Sequence, residues 1–195
     1  LLDCIKADDR GIAFVGYASG FDRQGAADPK KQEEAVSLAK QADTVLLCLG
    51  LDELRESEGL DRADMALAEN QQQLLDAVAA VNPNVVVLLS AGAPVETPWA
   101  GRCKALVYGA LGGQAGAGAA ADILTGKLCP CGKLSQTWAK AYDDTPAKAN
   151  FGGEGRNVEY REGLYVGYRY YQTAGVKPAF PFGYGPVSYT HLTLP

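Results

Sequence analysis

Five carboxylates and two arginines fall between Gly50 and Arg62, in the order Gly50-Leu51-Asp52-Glu53-Leu54-Arg55-Glu56-Ser57-Glu58-Gly59-Leu60-Asp61-Arg62. Such a stretch can do general acid–base work. A carboxyl sits on a loop whose glycine permits a sharp turn, with an arginine close enough to orient or pair it. A solvated surface loop explains the same charge and, on these residues alone, is the favoured explanation. Other routes to chemistry are poorer. The only histidine is His191, near the end of the chain, so no Ser-His-Asp arrangement can be assembled. Cys129-Pro130-Cys131 lacks the two-residue spacer of common zinc and redox motifs. The pattern therefore predicts no metal and leaves any catalysis to carboxylates.

Two further loops carry candidate residues. Ala91-Gly92-Ala93-Pro94-Val95-Glu96-Thr97-Pro98-Trp99 offers Trp99 either as an aromatic platform for a sugar ring or as a cap on the core. Gly116-x-Gly118-x-x-Ala121 formally satisfies a dinucleotide fingerprint, but it stands several residues beyond its strand and no acidic residue ends a following strand. Close helix–sheet packing explains its small residues more simply, so no cofactor is expected. Tyr160, Tyr165, Tyr168, Tyr170 and Tyr171 recur at near-alternate spacing, which predicts a strand packed on one face.

These loops need a scaffold. Thr44–Leu49, Val85–Leu89 and Ala105–Tyr108 are short apolar runs, as is Ile12–Tyr17, and each predicts a buried strand. Cys48 lies inside one of them and reads as a small core residue. Asp28-Pro29 marks a helix start, with Val36 and Ala39 on its apolar face. Leu67, Leu74, Leu75, Val78 and Val81 give a second helix, stopped at Asn82-Pro83-Asn84, and residues 117–124 a third. Leu134–Trp138 is expected to add an edge strand. Strands apolar on both faces, joined by amphipathic helices, imply a mainly parallel sheet flanked by helices. Beyond about residue 140 this rhythm gives way to Gly, Pro, Asp and Tyr, read as a long irregular excursion over the sandwich and not as a separate domain.

Composition sets the outer bounds. At 195 residues the chain can bury roughly 70% of its unfolded surface and needs no staples. A 47% hydrophobic share rules out disorder, and no run is long enough to cross a bilayer. Net charge is −5 with no basic cluster, which sets nucleic acid aside. Five cysteines are an odd number without disulfide-scaffold density, which mildly favours free thiols and a reducing, cytoplasmic setting.

Taken in order, these motifs resemble the C-terminal α/β sandwich domain of glycoside hydrolase family 3. The matching stretches are Glu56-Ser57-Glu58-Gly59-Leu60-Asp61-Arg62, Leu67 with Gln71, Pro98-Trp99, Gly113-Gln114 and Gly132-Lys133-Leu134. They continue with Tyr160-Arg161-Glu162-Gly163-Leu164-Tyr165-Val166-Gly167-Tyr168-Arg169-Tyr170 and Phe180-Pro181-Phe182-Gly183-Tyr184-Gly185. The resemblance implies an (α/β)6-sandwich-like domain over residues 1–185, cut at its start, with 186–195 as a foreign tail. It further implies a retaining β-glycosidase, most readily a β-glucosidase, acting on a β-glucoside or oligosaccharide. In such an enzyme an Asp nucleophile and a carboxyl acid/base stand about 5 Å apart. The nucleophile belongs to a separate TIM-like barrel that this chain lacks. The acid/base corresponds to Glu56 or Glu58, with Glu56 the better alignment. Arg62 and Trp99 are candidate substrate-binding residues, although fixing the loop is the favoured role for Asp61 and Arg62. Ala68 departs from the proline usual after the leucine at Leu67. The fragment by itself is expected to be inactive. A non-catalytic carbohydrate-binding or interaction module on the same fold is the alternative.

Overall fold

The computed structural model describes residues 1–9, 11–153 and 155–186, which group into two compact units, Leu1–Leu128 and one beginning at Cys129. In the first unit a short helix α1 (Leu2–Lys6) precedes α2 (Pro29–Ala39), β1 (Val45–Gly50), α3 (Glu69–Ala79), β2 (Val85–Ser90), β3 (Ala105–Tyr108) and α4 (Gly116–Leu124). The strands form a parallel sheet in the order β1-β2-β3. The α/β class expected from the apolar runs is therefore the class observed.

Local chemistry sets the element ends. The Asp28 carboxylate accepts the Lys30 and Lys31 amides at 2.9 and 3.4 Å, and Pro29 opens α2 without needing a donor. Asn82 stops α3 and at the same time knits the layers. Its Nδ2 donates to the Ala39 and Ala42 carbonyls at 2.9 and 2.7 Å, and its Oδ1 accepts the Asn84 amide at 2.8 Å. β2 then starts at Val85, in register with Val45 of β1.

The two faces of the sheet are unequally covered. Leu47, Leu49, Val85, Val87 and Leu89 share one face and are buried. On the other face Leu88 is buried, whereas Cys48 and Ala105 are exposed. Cys48 is thus not the core residue expected. It lies in an edge strand, on the less covered face. Ile12–Tyr17 is a second correction: the run takes no regular structure, and Ile12, Phe14, Val15 and Tyr17 are all exposed. Its far end is held, since a Cβ on Gly16 would press on Leu38 and the Asn70 amide donates to the Asp22 carbonyl at 2.8 Å. The small residues of α4 do not serve close packing either. Only Ala121 is buried, and a Cβ at Gly116 or Gly118 would meet nothing.

The second unit has no βαβ rhythm, as expected, but it forms a compact unit of its own. Leu134–Trp138 does not make a full strand. It runs antiparallel to residues 180–184 with one bridge, Trp138 to Phe180; beyond it the Leu134 amide donates to the Tyr184 carbonyl and the Gly183 amide to the Leu134 carbonyl. The tyrosine cluster is helical where a strand was expected: Tyr168, Tyr170 and Tyr171 belong to α5 (Tyr168–Ala174), with Tyr171 buried. Tyr168 stacks on Phe182 at 5.4 Å. His191 and nearly all of the expected tail lie outside the described residues.

Candidate active site

In parallel sheets ligands meet the loops at the carboxyl ends of the strands. The loop leaving β1 carries the carboxylates, and its root is fixed first. The Gln71 carboxamide in α3 accepts the Gly50 amide at 2.9 Å and donates to the Gly50 carbonyl at 2.8 Å. Gly50 must be glycine, because a Cβ there would collide with the Ser90 carbonyl. Buried Asp52 then organises the first turn. Its Oδ1 accepts the Leu54 and Arg55 amides at 3.0 and 2.9 Å, and its carbonyl accepts the Glu56 amide at 2.9 Å.

Three contacts lace this loop to the one leaving β2. The Gly92 amide donates to both carboxylate oxygens of Glu56, each at 2.9 Å; Arg62 Nη1 donates to the Pro94 carbonyl at 3.1 Å; and the Glu96 amide donates to the Met65 carbonyl at 2.7 Å. A Cβ on Gly92 would stand 3.1 Å from Glu56 Oε1, so the approach depends on glycine. Beside Glu56, the Tyr108 hydroxyl donates to the Ala91 carbonyl at 2.8 Å. Burial, reinforced by the Glu56 charge, pushes the Tyr108 phenol above its ordinary pKa.

Arg62 is half-buried. Burial draws its guanidinium pKa down against the opposing pull of Glu56 and Asp64, and its Nη2 is buried without a hydrogen-bond partner. Arg55 reaches the Ala66 carbonyl at 3.3 Å and Asp64 at 3.5 Å.

Between the anchored ends the loop turns outward. The Leu60 amide donates to the Ser57 carbonyl at 3.3 Å, and Gly59 has φ +78°, as the third residue of a type II turn requires. Glu58 is the second residue of that turn. It is exposed and bonds to no side chain or backbone group among the described residues. The two candidate glutamates are therefore in opposite situations. Glu56 is already engaged as an acceptor, and Glu58 is presented at an apex.

Trp99 is 1% exposed, and its Nε1 donates to the Glu96 carbonyl at 3.1 Å. It fills the core-capping role, and a ring so covered offers no face to a sugar. The structure thus brings Glu56, Glu58 and Arg62 onto one loop and buries Trp99 in the core. Sequence reasoning missed the Gly92 amide, Asp52 and the clasp by Gln71. Asp52, followed by a turn, carried a readable signal, whereas a backbone donor has no side chain to announce it. Among the described residues no three His, Cys, Asp or Glu side chains gather as a metal site would need.

The family model described as the glycosyl hydrolase family 3 C-terminal domain matches residues 6–168. The chain belongs to glycoside hydrolase family 3. A thermostable β-glucosidase B of Acetivibrio thermocellus is 45% identical over 175 residues, covering 89% of this chain and 23% of that protein. An exo-α-(1→6)-L-arabinopyranosidase of Bifidobacterium breve is 45% identical over 179 residues, covering 91% and 24%. The crystal structure of a family 3 β-glucosidase from Bifidobacterium adolescentis superposes with a TM-score of 0.90 at 46% identity, over 95% of this chain and 27% of that one. The chain thus spans about a quarter of the length of these family 3 relatives.

Proposed function

We propose that this chain is the acid/base-bearing part of a retaining β-glycosidase, with β-glucosides as the favoured substrates. In this reading a departing glycosidic oxygen takes its proton from Glu58. A water later gives its proton back to the same carboxylate as it attacks the glycosyl–enzyme bond. The nucleophilic Asp would come from a TIM-like barrel elsewhere in the longer protein, and residues 1–185 would act as one family-type domain.

The observation that carries the choice of Glu58 is the contrast along the loop. A proton donor must reach the leaving group, and Glu58 stands unpartnered at the apex of a turn. Glu56 is the better match by sequence alignment. Both its oxygens already accept the Gly92 amide, so donating outward would require that clasp to open. Glu56 then serves as a positioning residue, holding the loop against its neighbour. Arg62 supports the same function from behind: its Nη1 is tied to the Pro94 carbonyl, and its charge acts on the carboxylates of Glu56 and Asp64.

The reading is tested with an aryl β-glucoside. The chain alone should give no turnover, because the covalent step has no nucleophile. Replacing the corresponding stretch of the Bifidobacterium adolescentis enzyme with this chain should give an active chimera. Turnover by the isolated chain would contradict the proposal. So would glucose binding by the isolated chain together with an inactive chimera, which is the signature of a non-catalytic carbohydrate module.

A further inference from the structure

The loop leaving β3 meets the loops leaving β1 and β2 at Gly92. A Cβ on Gly92 would stand 3.0 Å from Leu111 Cδ1 as well as 3.1 Å from Glu56 Oε1, so the Leu111 side chain and the Glu56 carboxylate crowd the same glycine. Tyr108, the last residue of β3, closes this corner through its bond to the Ala91 carbonyl. Leu111 nevertheless keeps 72% of its surface exposed.

A single exposed leucine is ordinary on a protein surface. This one is held in place. The Gly109 amide donates to the Leu89 carbonyl at 2.8 Å, which ties the start of the loop to β2. Ala110 follows with φ +48°, alone among the described non-glycine residues in the left-handed region, a conformation that a Cβ makes costly. Gly112 then passes so close to α4 that a Cβ there would stand 2.9 Å from the Gly116 Cα. With strain before it and backbone contact after it, Leu111 has a defined position. From there it presents apolar surface to solvent beside the residues that hold the acid/base loop.

We propose, on the acid/base reading of the β1 loop, that Leu111 is a specificity-determining residue that contacts the leaving group and favours β-glucosides with apolar, alkyl or aryl, aglycones. In a retaining enzyme the two carboxyl groups flank the scissile bond, and the acid stands beside the oxygen that leaves. Whatever that oxygen carries must lie against the loops around Glu56 and Glu58. The glucosyl ring is rich in hydroxyls and needs hydrogen-bonding partners, of which the Leu111 side chain offers none. An apolar aglycone gains from Leu111 instead, because contact removes both surfaces from water.

The chimera with the Bifidobacterium adolescentis enzyme provides the test, assayed on hexyl and methyl β-glucosides. Their leaving alcohols have similar basicity, so the demand on the proton donor is the same and the ratio of the two kcat/KM values reads the apolar contact. Leu111→Ser should lower the hexyl-to-methyl ratio by about 10-fold, the low end for an apolar contact in a specificity pocket. Leu111→Phe, which keeps a large apolar side chain, should hold the ratio at or above that of the parent. Leu128→Ser changes an exposed leucine beyond the C-terminal end of α4 and should leave the ratio where it was.

An unchanged ratio in Leu111→Ser, with the parent chimera active, would overturn the assignment and leave the role of Glu58 standing. Equal losses on both glucosides, with a lower melting temperature in the chimera but not in the isolated chain, would overturn it too. Leu111 would then be packing against the rest of the enzyme and not against substrate. A parent chimera inactive on both glucosides would remove the acid/base reading and this proposal with it.

Discussion

The two halves of the β1 loop are built on opposite principles. From Gly50 to Glu56 nearly every polar group is satisfied from within: Gln71 clasps Gly50, Asp52 caps the turn, and Gly92 holds Glu56. From Ser57 to Asp61 a single bond closes the turn, and Glu58 and Asp61 are exposed. A proton donor has to be aimed accurately and yet left free of competing partners. The root supplies the first condition and the tip the second. In the proposed reading, similar carboxylates two residues apart thereby acquire different duties.

The largest expected effect separates those duties by activity. In the chimera, Glu58→Gln should lower kcat/KM for a glucoside with a poor leaving group by about 10²–10⁴-fold, the usual contribution of a positioned acid, with an unchanged melting temperature. Glu56→Gln should cost far less activity and should destabilise the fold by about 1 kcal/mol, because one charge-assisted bond becomes neutral. If Glu56→Gln proves the more damaging to rate, the assignment reverses.

Next in size is the root. Gln71→Ala leaves the Gly50 amide and carbonyl without partners in a part-buried place, and should cost about 1–3 kcal/mol in chemical denaturation of the isolated chain. Asp52→Ala removes a cap and should cost about 0.5–2 kcal/mol by the same measurement. A stable Gln71→Ala would mean that the root is held elsewhere.

The smallest effect is a titration. Burial and the Glu56 charge raise the Tyr108 pKa, so its neutral form is favoured in the fold. That contribution is fully present below the unfolded tyrosine value of about 10 and is lost as pH rises through the higher folded value. Ultraviolet titration should show Tyr108 ionising late, and Glu56→Gln should bring that step earlier. Glu58→Gln should leave it in place. A shift caused by the Glu58 variant would break the distinction between root and tip.

Much of this was legible in the sequence. Three of the four apolar runs are the strands of the sheet, Asp28-Pro29 marks the start of α2, and the motif order pointed to the family and to the loop. What was not legible depended on neighbours. Ile12–Tyr17 and Thr44–Leu49 look alike as apolar runs, but only the second has a partner to pair with, and an unpaired strand does not persist. Cys48 is apolar in context and still exposed, because burial belongs to the face and edge of a sheet and not to the residue. Trp99 could have been platform or core, and its burial decided it. The distinction between Glu56 and Glu58 turned on the backbone amide of Gly92, which no side-chain pattern records.

The most direct test of the central claim is the dependence of rate on the leaving group in the chimera. Acid assistance matters when the departing oxygen is basic and little when it is not. Glu58→Gln should therefore slow glucosides of poor leaving groups severely while sparing the first step for activated aryl glucosides, and added azide should restore turnover of the latter. Uniform loss across leaving groups, or the selective pattern appearing in Glu56→Gln instead, would contradict the account.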